Sequence, residues 1–377
     1  MKIVVAVDSY KGCMSSMEAG RTIRLAIHKV DEELDVDVFP LADGGEGTME
    51  ILTREMGGRI VKTFVTGPLG APISCEYGIV EGRKLAIIEV AKVAGLTLVP
   101  EETRKPLYTT TYGLGEVIRQ AIDLGCREFI IGLGGSATND GGIGMLQALG
   151  FGMMDADSRQ VRFGAVGLAD LYMITARGAM PELEQCTFHV ACDVKNPLCG
   201  ENGCSVVFGP QKGATEEETK QMDQWMAHYG KLAKEVIEHA DMNLEGAGAA
   251  GGLGFAFATF LNGTLESGSK IVMDVMNLEE SIKEAELVIT GEGCLDGQSI
   301  MGKGPIQVAQ LGKKYGKKVV AFAGCIGEDA YLCHDYGIDA YFPIIQKAMS
   351  LDHAMDPRIA RNNLMSTVMQ VMRILSD

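Results

Sequence analysis

Eleven residues in the middle of the chain combine glycines with polar side chains in a pattern that suits an anion. Residues 132–142 read Gly-Leu-Gly-Gly-Ser-Ala-Thr-Asn-Asp-Gly-Gly, between a β-rich run and a helical run that begins at Ile143. Glycine lets the backbone approach a ligand closely, and a following helix presents N–H groups and the positive end of its dipole. Candidate ligand-binding residues here are Gly134, Gly135, Ser136, Thr138 and Asn139. Asp140 is a candidate cation ligand, and an ordinary capped turn is the alternative interpretation.

Similar motifs, with carboxylates beside glycines, follow the other predicted strands. Ligands of open α/β sheets bind beyond the carboxyl ends of the strands, so this placement favours a site. Phosphoryl transfer needs carboxylates for Mg²⁺, N–H groups and a lysine for phosphates, and a base for the attacking hydroxyl. The motifs are Asp8-Ser-Tyr-Lys-Gly, Leu41-Ala-Asp-Gly-Gly-Glu-Gly-Thr, Ala191-Cys-Asp-Val-Lys-Asn-Pro-Leu, Gly248-Ala-Ala-Gly-Gly-Leu-Gly and Gly291-Glu-Gly-Cys-Leu-Asp-Gly-Gln.

Two patterns of secondary structure position these motifs. Near both ends of the chain, apolar strands alternate with helices, which is typical of a doubly wound parallel sheet. The middle contains a hairpin, because residues 73–79 alternate in polarity and a second strand runs over 84–90. We predict an α/β fold in which residues 1–64 and 286–377 form a Rossmann-like, doubly wound parallel-sheet domain. Residues 65–285 form an inserted mixed α/β domain.

Composition narrows the class of protein. The 377 residues exceed the roughly 250–300 at which one core stops growing, so two domains are expected. A net charge of −16 argues against nucleic acid and anionic membranes as partners. The ten cysteines include no Cys-x-x-Cys pair, and the first segment of the chain resembles a strand. Both features favour free thiols in a cytoplasmic protein. Residues 246–265 carry no charge, but their glycines make a poor membrane-spanning helix.

As a set, these motifs resemble those of the bacterial class I glycerate kinases. The likeness includes Pro40-Leu-Ala-Asp-Gly-Gly-Glu-Gly-Thr and Gly134-Gly-Ser-Ala-Thr-Asn-Asp-Gly-Gly and runs in order over essentially the whole chain. Cys13 and Met14 depart from it, since small polar residues are more usual after the first lysine. The resemblance implies ATP-dependent phosphorylation of D-glycerate with Mg²⁺, most often at the 2-hydroxyl. It also implies two domains with the active site in the cleft between them.

Strand-end position and residue type suggest a role for each candidate in direct in-line transfer. Lys11 neutralises developing charge, and Asp193 accepts the proton of the attacking hydroxyl. The candidate magnesium ligands are Asp43, Glu46, Glu292, Asp296 and Asp140. Further candidates for binding substrate or nucleotide are Ser9, Asn196, Gly251, Gly252, Gln298 and Lys303.

Each role has an ordinary structural alternative. Asp43 and Glu46 suit the cap of the next helix, Lys11 a loop surface and Asp193 a turn. Alternative functions are a kinase of the 3-hydroxyl or of a related small hydroxy acid, and more remotely a Rossmann-type oxidoreductase. The Gly-x-Gly-x-x-Gly fingerprint is missing after residues 3–7, which disfavours the oxidoreductase. The sequence leaves the oligomeric state open.

Overall fold

The structure, a computed structural model, describes residues 1–42, 44–45 and 47–375. Its strands are β1 (Lys2–Val7), β2 (Asp35–Pro40), β3 (Arg59–Thr66), β4 (Pro72–Val80), β5 (Leu85–Glu89), β6 (Glu128–Gly132), β7 (Gly152–Met154), β8 (Met173–Thr175), β9 (Thr187–Ala191), β10 (Thr264–Glu266), β11 (Leu287–Leu295), β12 (Lys318–Ile326) and β13 (Ala340–Pro343). Its α-helices are α1 (Ser16–His28), α2 (Thr48–Glu55), α3 (Ala91–Ala94), α4 (Tyr112–Asp123), α5 (Ile143–Ala148), α6 (Ala165–Ala169), α7 (Cys204–Phe208), α8 (Glu216–Val236), α9 (Ala249–Phe260), α10 (Gly268–Val275), α11 (Leu278–Glu284), α12 (Gly304–Lys314), α13 (Leu351–Ala354) and α14 (Pro357–Leu375).

The chain divides into two compact units, which we call unit 1 (Met1–Asp43 and Ser269–Asp377) and unit 2 (Gly44–Gly268). Both divisions come earlier in the chain than the predicted boundaries at 64/65 and 285/286. At the first boundary the reason is β3, which pairs along its whole length with β4 in an antiparallel register from Arg59↔Ile79 to Thr66↔Pro72. The predicted domain of residues 1–64 therefore ends too late.

Unit 1 is built on a five-stranded parallel sheet of order β13-β12-β11-β1-β2. Alternate residues of β1 enter two different cores: Ile3 and Val5 pack with α1 and α14, whereas Val4 and Ala6 pack with α11 and α12. A strand that is apolar on both faces is what a doubly wound sheet requires. The predicted α/β class with a doubly wound parallel sheet is confirmed.

The order of this sheet marks a place for ligands. When the five strands of this sheet are numbered in chain order, their order across the sheet is 2-1-3-4-5. The connections that follow β1 and β11 therefore leave in opposite directions. A crevice forms outside the carboxyl ends of the strands at such a switch point. There the amide of Asp8 donates to the carbonyl of Gly291 at 2.8 Å, so the first and last sequence motifs lie side by side.

Unit 2 contains a six-stranded mixed sheet of order β10-β9-β6-β5-β4-β3. The pairs β3–β4 and β4–β5 are antiparallel, as the predicted hairpin requires, and the remaining pairs are parallel. A separate antiparallel pair joins β7 and β8. The carboxyl ends of β6 and β9 are adjacent, which places the turn after Gly132 beside the segment after Ala191.

Local sequence signals located several elements correctly. Ser15 and Glu18, a Ser-x-x-Glu pattern typical of helix starts, form a capping box at the start of α1. The motif that begins at Gly291 was predicted to follow a strand, but β11 continues past Thr290 and pairs with β12 as far as Leu295↔Ile326. Part of the motif assigned to a loop is therefore strand. None of the helices in the described ranges has the length and apolar character needed to cross a membrane.

Candidate functional site

The turn at residues 132–142 of unit 2 presents backbone N–H groups that have no partner among the described residues. Gly135 lies in the left-handed region with φ +71°, and both Gly134 and Gly135 are exposed. Within the described part of the chain, the amides of Gly134, Gly135 and Ser136 donate no hydrogen bond. Consecutive amides around a left-handed residue form a concave group that binds anions. The turn thus carries the donors that its predicted phosphate-binding role needs.

Backbone pairing fixes this turn on its inner side. Leu96 donates its N–H to the carbonyl of Gly135 at 2.9 Å, and Ala137 donates to the carbonyl of Ala94 at 2.8 Å. Ser136 lies between these two bonds, opposite Gly95. The three amides are therefore held in place by the neighbouring segment before any ligand arrives, which favours binding.

A buried lysine that the sequence analysis missed supports the same turn. Lys212 is 3% exposed, and its ammonium donates to the hydroxyl of Ser136 at 3.0 Å and to the carbonyl of Thr138 at 2.7 Å. Burial lowers the pKa of the Lys212 ammonium to about 8, although nearby Cys204 and Asp140 act in the opposite direction. Lys212 lies in a Pro-Gln-Lys-Gly turn without a motif, and only the fold brings it to the glycines.

Two predicted ligand-binding side chains point into unit 2 instead. Thr138 and Asn139 are fully buried, and the Asn139 side-chain amide donates to the Ser205 hydroxyl at 2.8 Å. A group with no exposed surface does not meet a ligand in this arrangement. The Asn139 side chain ties the turn to α7. Because both side chains are buried, the ligand-facing part of the motif is the shorter stretch 134–136.

Asp140, predicted as a cation ligand, serves the protein's own backbone. It is fully buried, and one carboxylate oxygen accepts from the amide and the hydroxyl of Thr111 at 2.8 and 2.9 Å. The other accepts from the amide of Gly142 at 3.1 Å, at the start of α5. Burial raises the pKa of the Asp140 carboxyl, and these hydrogen bonds oppose that effect. Because both oxygens are engaged, Asp140 does not fit the predicted magnesium site.

Gly251 and Gly252 pack against the turn. Both have positive φ values, +68° and +93°, inside a kink at the start of α9. A Cβ atom on Gly251 would lie 2.1 Å from the carbonyl oxygen of Thr138, and the carbonyl of Gly251 accepts from Gly141 at 2.9 Å. The structure therefore brings these two motifs together, as close backbone packing within unit 2.

The motif at 41–48 also reaches this edge of the sheet. Asp43 and Glu46, both predicted magnesium ligands, lie outside the described residues. Gly44 lies so close to Ala191 that a Cβ atom on it would be 2.4 Å from the alanine Cβ. A Cβ atom on Gly134 would lie 3.4 Å from the Cα of Gly45. Three of the predicted motifs thus converge around the carboxyl ends of β6 and β9.

Asp193 follows β9 and is exposed at this edge. One of its carboxylate oxygens accepts from the amide of Gly268 at 3.1 Å, which orients the side chain. Asn196 is used differently, because its side-chain amide donates to the carbonyl of Asn202 at 2.9 Å. That bond closes a loop, whereas the carboxylate of Asp193 is exposed after the carboxyl end of β9.

In unit 1, the motifs after β1 and β11 lie together at the switch point. The amide of Ser9 donates to the carboxylate of Asp8 at 2.6 Å, and Lys11 is exposed on the same loop. A Cβ atom on Gly293 would lie 3.5 Å from the amide nitrogen of Lys11. The predicted residues Ser9 and Lys11 therefore adjoin the segment that carries Glu292.

Glu292 is a buried carboxylate of unit 1, and its hydrogen bonding is incomplete among the described residues. It is 5% exposed, and its Oε1 atom has no hydrogen-bond partner among the described residues. The ammonium of Lys303 lies 3.6 Å from the other oxygen. Burial raises the pKa of the Glu292 carboxyl, while Ser299 and Lys303 act to lower it and Asp8 and Asp296 to raise it. A buried oxygen without a donor is costly unless a cation or water satisfies it.

The remaining predicted residues of this motif form a tight turn. Asp296 accepts through one oxygen from the amides of Gln298 and Ser299, at 2.9 and 3.2 Å. Gln298 and Lys303 are exposed. Over the described ranges no group of three or more His, Cys, Asp or Glu side chains is arranged to hold a metal ion. Of the predicted magnesium ligands described here, only Glu292 offers a buried oxygen free for one.

Known proteins resemble this chain over its whole length. The model of the glycerate kinase family matches residues 3–376. A glycerate kinase of Haemophilus influenzae is 44% identical over 376 residues, covering 100% of this chain and 99% of that protein. A glycerate 2-kinase of Escherichia coli is 46% identical over 355 residues, covering 94% and 93%. The crystal structure of a proposed glycerate kinase 2 from Salmonella typhimurium LT2 has a TM-score of 0.91 at 42% identity, covering 100% and 98%.

The fold and these matches define an α/β enzyme of the kinase class. The chain belongs to the glycerate kinase family. The family prediction is confirmed, and the oxidoreductase alternative is set aside.

Proposed function

We propose that this enzyme transfers the γ-phosphoryl group of ATP to the 2-hydroxyl of D-glycerate. The observation that carries the proposal is the run of amides at residues 134–136, which donate to no described residue and suit the phosphates of ATP. The name of the Escherichia coli relative, glycerate 2-kinase, supports the choice of the 2-hydroxyl. All ten cysteines are free thiols, which supports action in the reducing cytoplasm.

In this proposal the charged side chains have separate tasks. The amides of 134–136 bind phosphate oxygens, and the ammonium of Lys11 neutralises charge that develops on the transferred group. The carboxylate of Asp193 accepts the proton from the glycerate hydroxyl as that oxygen attacks phosphorus. The hydrogen bond from the amide of Gly268 orients the carboxylate of Asp193, as the role of general base requires.

Glu292 fits a magnesium ion better than the other described candidates. Its buried Oε1 atom has no donor in the described part of the chain, and an anionic oxygen is the ligand that Mg²⁺ prefers. When bound, the ion would offset the negative charge of the phosphates. Asp43 and Glu46 stay predicted ligands on the strength of the sequence.

The proposed function is tested by measuring ADP release with ATP and D-glycerate, followed by ³¹P NMR of the product. We expect ADP release that depends on glycerate and a single new resonance from 2-phosphoglycerate. A 3-phosphoglycerate resonance would contradict the assigned position. ADP release with another hydroxy acid but not with glycerate would contradict the substrate and leave the reaction class intact.

Replacing Lys11 with alanine should lower kcat/KM for ATP by roughly 10²-fold, because the positive charge that neutralises the transferred group is lost. Lys29→Ala is the matched control, since Lys29 is also an exposed lysine of unit 1 but follows α1 and belongs to no motif. Steady-state rates at varied ATP measure both. Equal kcat/KM values for Lys11→Ala and the wild type would assign Lys11 to the loop surface.

Replacing Glu292 with glutamine should raise the Mg²⁺ concentration needed for half-maximal rate, because a neutral amide oxygen binds the ion more weakly than a carboxylate. The rate is measured at fixed ATP over a magnesium titration. Glu280→Gln removes an exposed carboxylate of the same unit and should leave the titration unchanged. A Glu292→Gln titration that overlays the wild type would remove Glu292 as a ligand.

A further inference from the structure

We propose that Lys212 is a positioning residue for ATP: its ammonium keeps the Ser136 hydroxyl and the 134–136 amides in place as donors to the phosphates. This inference rests on the proposed function, because it takes the turn at 132–142 to bind ATP. It concerns a residue outside every sequence motif of the chain.

The first support is the placement of a buried cation whose own hydrogen bonds reach only neutral oxygens. Lys212 is 3% exposed, and within the described part of the chain no carboxylate forms an ion pair with it. Its two hydrogen bonds go to neutral oxygens, on Ser136 and Thr138. An ammonium removed from water is costly unless it is paired. The buried carboxylate of Asp140 favours the charged form of Lys212 from a distance but makes no hydrogen bond with it among the described residues. The positive charge therefore lies directly behind the amides of 134–136, where a negatively charged ligand would meet it.

The second support is the direction of hydrogen bonding at Ser136. A serine hydroxyl has one proton to donate and two lone pairs to accept with. Because Lys212 donates to this oxygen at 3.0 Å, the hydroxyl proton must point elsewhere. Among the described residues no acceptor for that proton is found. Ser136 is thereby left as a donor, next to the amides of Gly134 and Gly135, and a donor polarised by a cation is a stronger one.

A third contact shows that simple support of the turn does not require a lysine. The hydroxyl of Thr109 donates to the carbonyl of Ala137 at 2.9 Å, and both groups are buried. Thr109 therefore holds the adjacent carbonyl as Lys212 holds that of Thr138, without charge and without touching Ser136. Variants of Thr109 and Lys212 therefore separate the effect of fixing the backbone from the effect of supplying charge to the ligand.

The test uses the full chain with Lys212→Met, Ser136→Ala, the double variant and Thr109→Val as the matched control. For Lys212→Met and Ser136→Ala we expect kcat/KM for ATP to fall roughly 10- to 100-fold, with KM for D-glycerate within about threefold of wild type. The double variant should be no worse than Lys212→Met, because both changes remove the same donor. Thr109→Val should lower the thermal midpoint and change kcat/KM by less than about threefold.

Several results would overturn the inference. One is a Lys212→Met enzyme with a lower thermal midpoint but kcat/KM for ATP equal to wild type. Another is a loss in Thr109→Val as large as in Lys212→Met, since any loosening of the turn would then suffice. If Lys212→Met does not fold, unchanged kinetics of Ser136→Ala decide against it.

Calorimetric titration with ATP in the absence of glycerate separates this inference from the proposed function. A wild-type chain that binds ATP but does not phosphorylate glycerate contradicts the proposed function alone. Weaker ATP binding by Lys212→Met and Ser136→Ala then still supports the inference. Equal ATP binding by the wild type and these variants overturns it, whatever substrate the enzyme uses.

Discussion

Asp193→Asn should lower kcat by about 10²- to 10⁴-fold, the usual contribution of a general base, and leave KM for ATP nearly unchanged. An amide has no basic lone pair to take the hydroxyl proton, so the chemical step slows. The carbonyl oxygen of asparagine still accepts from the Gly268 amide, so the hydrogen bond at 3.1 Å is retained. The substitution therefore removes the charge and keeps the local structure.

Asp223→Asn is the matched control for this prediction. Asp223 also accepts a backbone N–H, from Gly200 at 2.9 Å, but it lies on α8 and follows no strand. Its replacement should leave kcat unchanged. The rates come from the ADP assay at saturating ATP and glycerate, with thermal midpoints showing that both variants are folded. Near wild-type turnover in Asp193→Asn would remove Asp193 from the role of base.

Much of the fold could be predicted because its signals are local. The apolar run of β1, the capping box at Ser15 and the alternation along β4 lie within a few neighbouring residues. The motifs after strands were equally visible, since glycine and carboxylate types cluster there. The extent of β11 could not be foreseen, because residues after Thr290 stay in the strand through pairing with β12, far along the chain.

The candidate site shows where sequence types stop being informative. Thr138, Asn139 and Asp140 have the same types as ligand-binding residues, but the fold buries all three. The Asn139 side chain bonds to Ser205, and the Asp140 carboxylate bonds to Thr111. A motif cannot show which of its side chains face the interior. Lys212 presents the opposite case, because it reaches Ser136 from 76 residues away and no pattern around it signals that contact.

We expect Gly251→Ala to lower the free energy of unfolding more than a methyl group added at any other glycine of the candidate site. A non-glycine residue at φ +68° costs about 1–2 kcal/mol. The added Cβ atom would also lie 2.1 Å from the carbonyl oxygen of Thr138 and 2.6 Å from the Cα of Asn139. The backbone of Thr138 and Asn139 cannot move away without moving the turn. Overpacking of this kind adds about 1–3 kcal/mol or more to the loss of stability.

Gly70→Ala separates these two costs. Gly70 also belongs to unit 2 and has φ +81°, but a Cβ atom there meets nothing within 4 Å. The single tryptophan, Trp225, packs against the core of unit 2, so its fluorescence during urea unfolding reports on the unit that carries both substitutions. We expect Gly70→Ala to lose about 1–2 kcal/mol and Gly251→Ala at least twice as much. Because Gly251 lies against Thr138, ATP binding at 134–136 should weaken in Gly251→Ala only. Equal unfolding midpoints for the two variants would mean that the kink of α9 does not hold the turn.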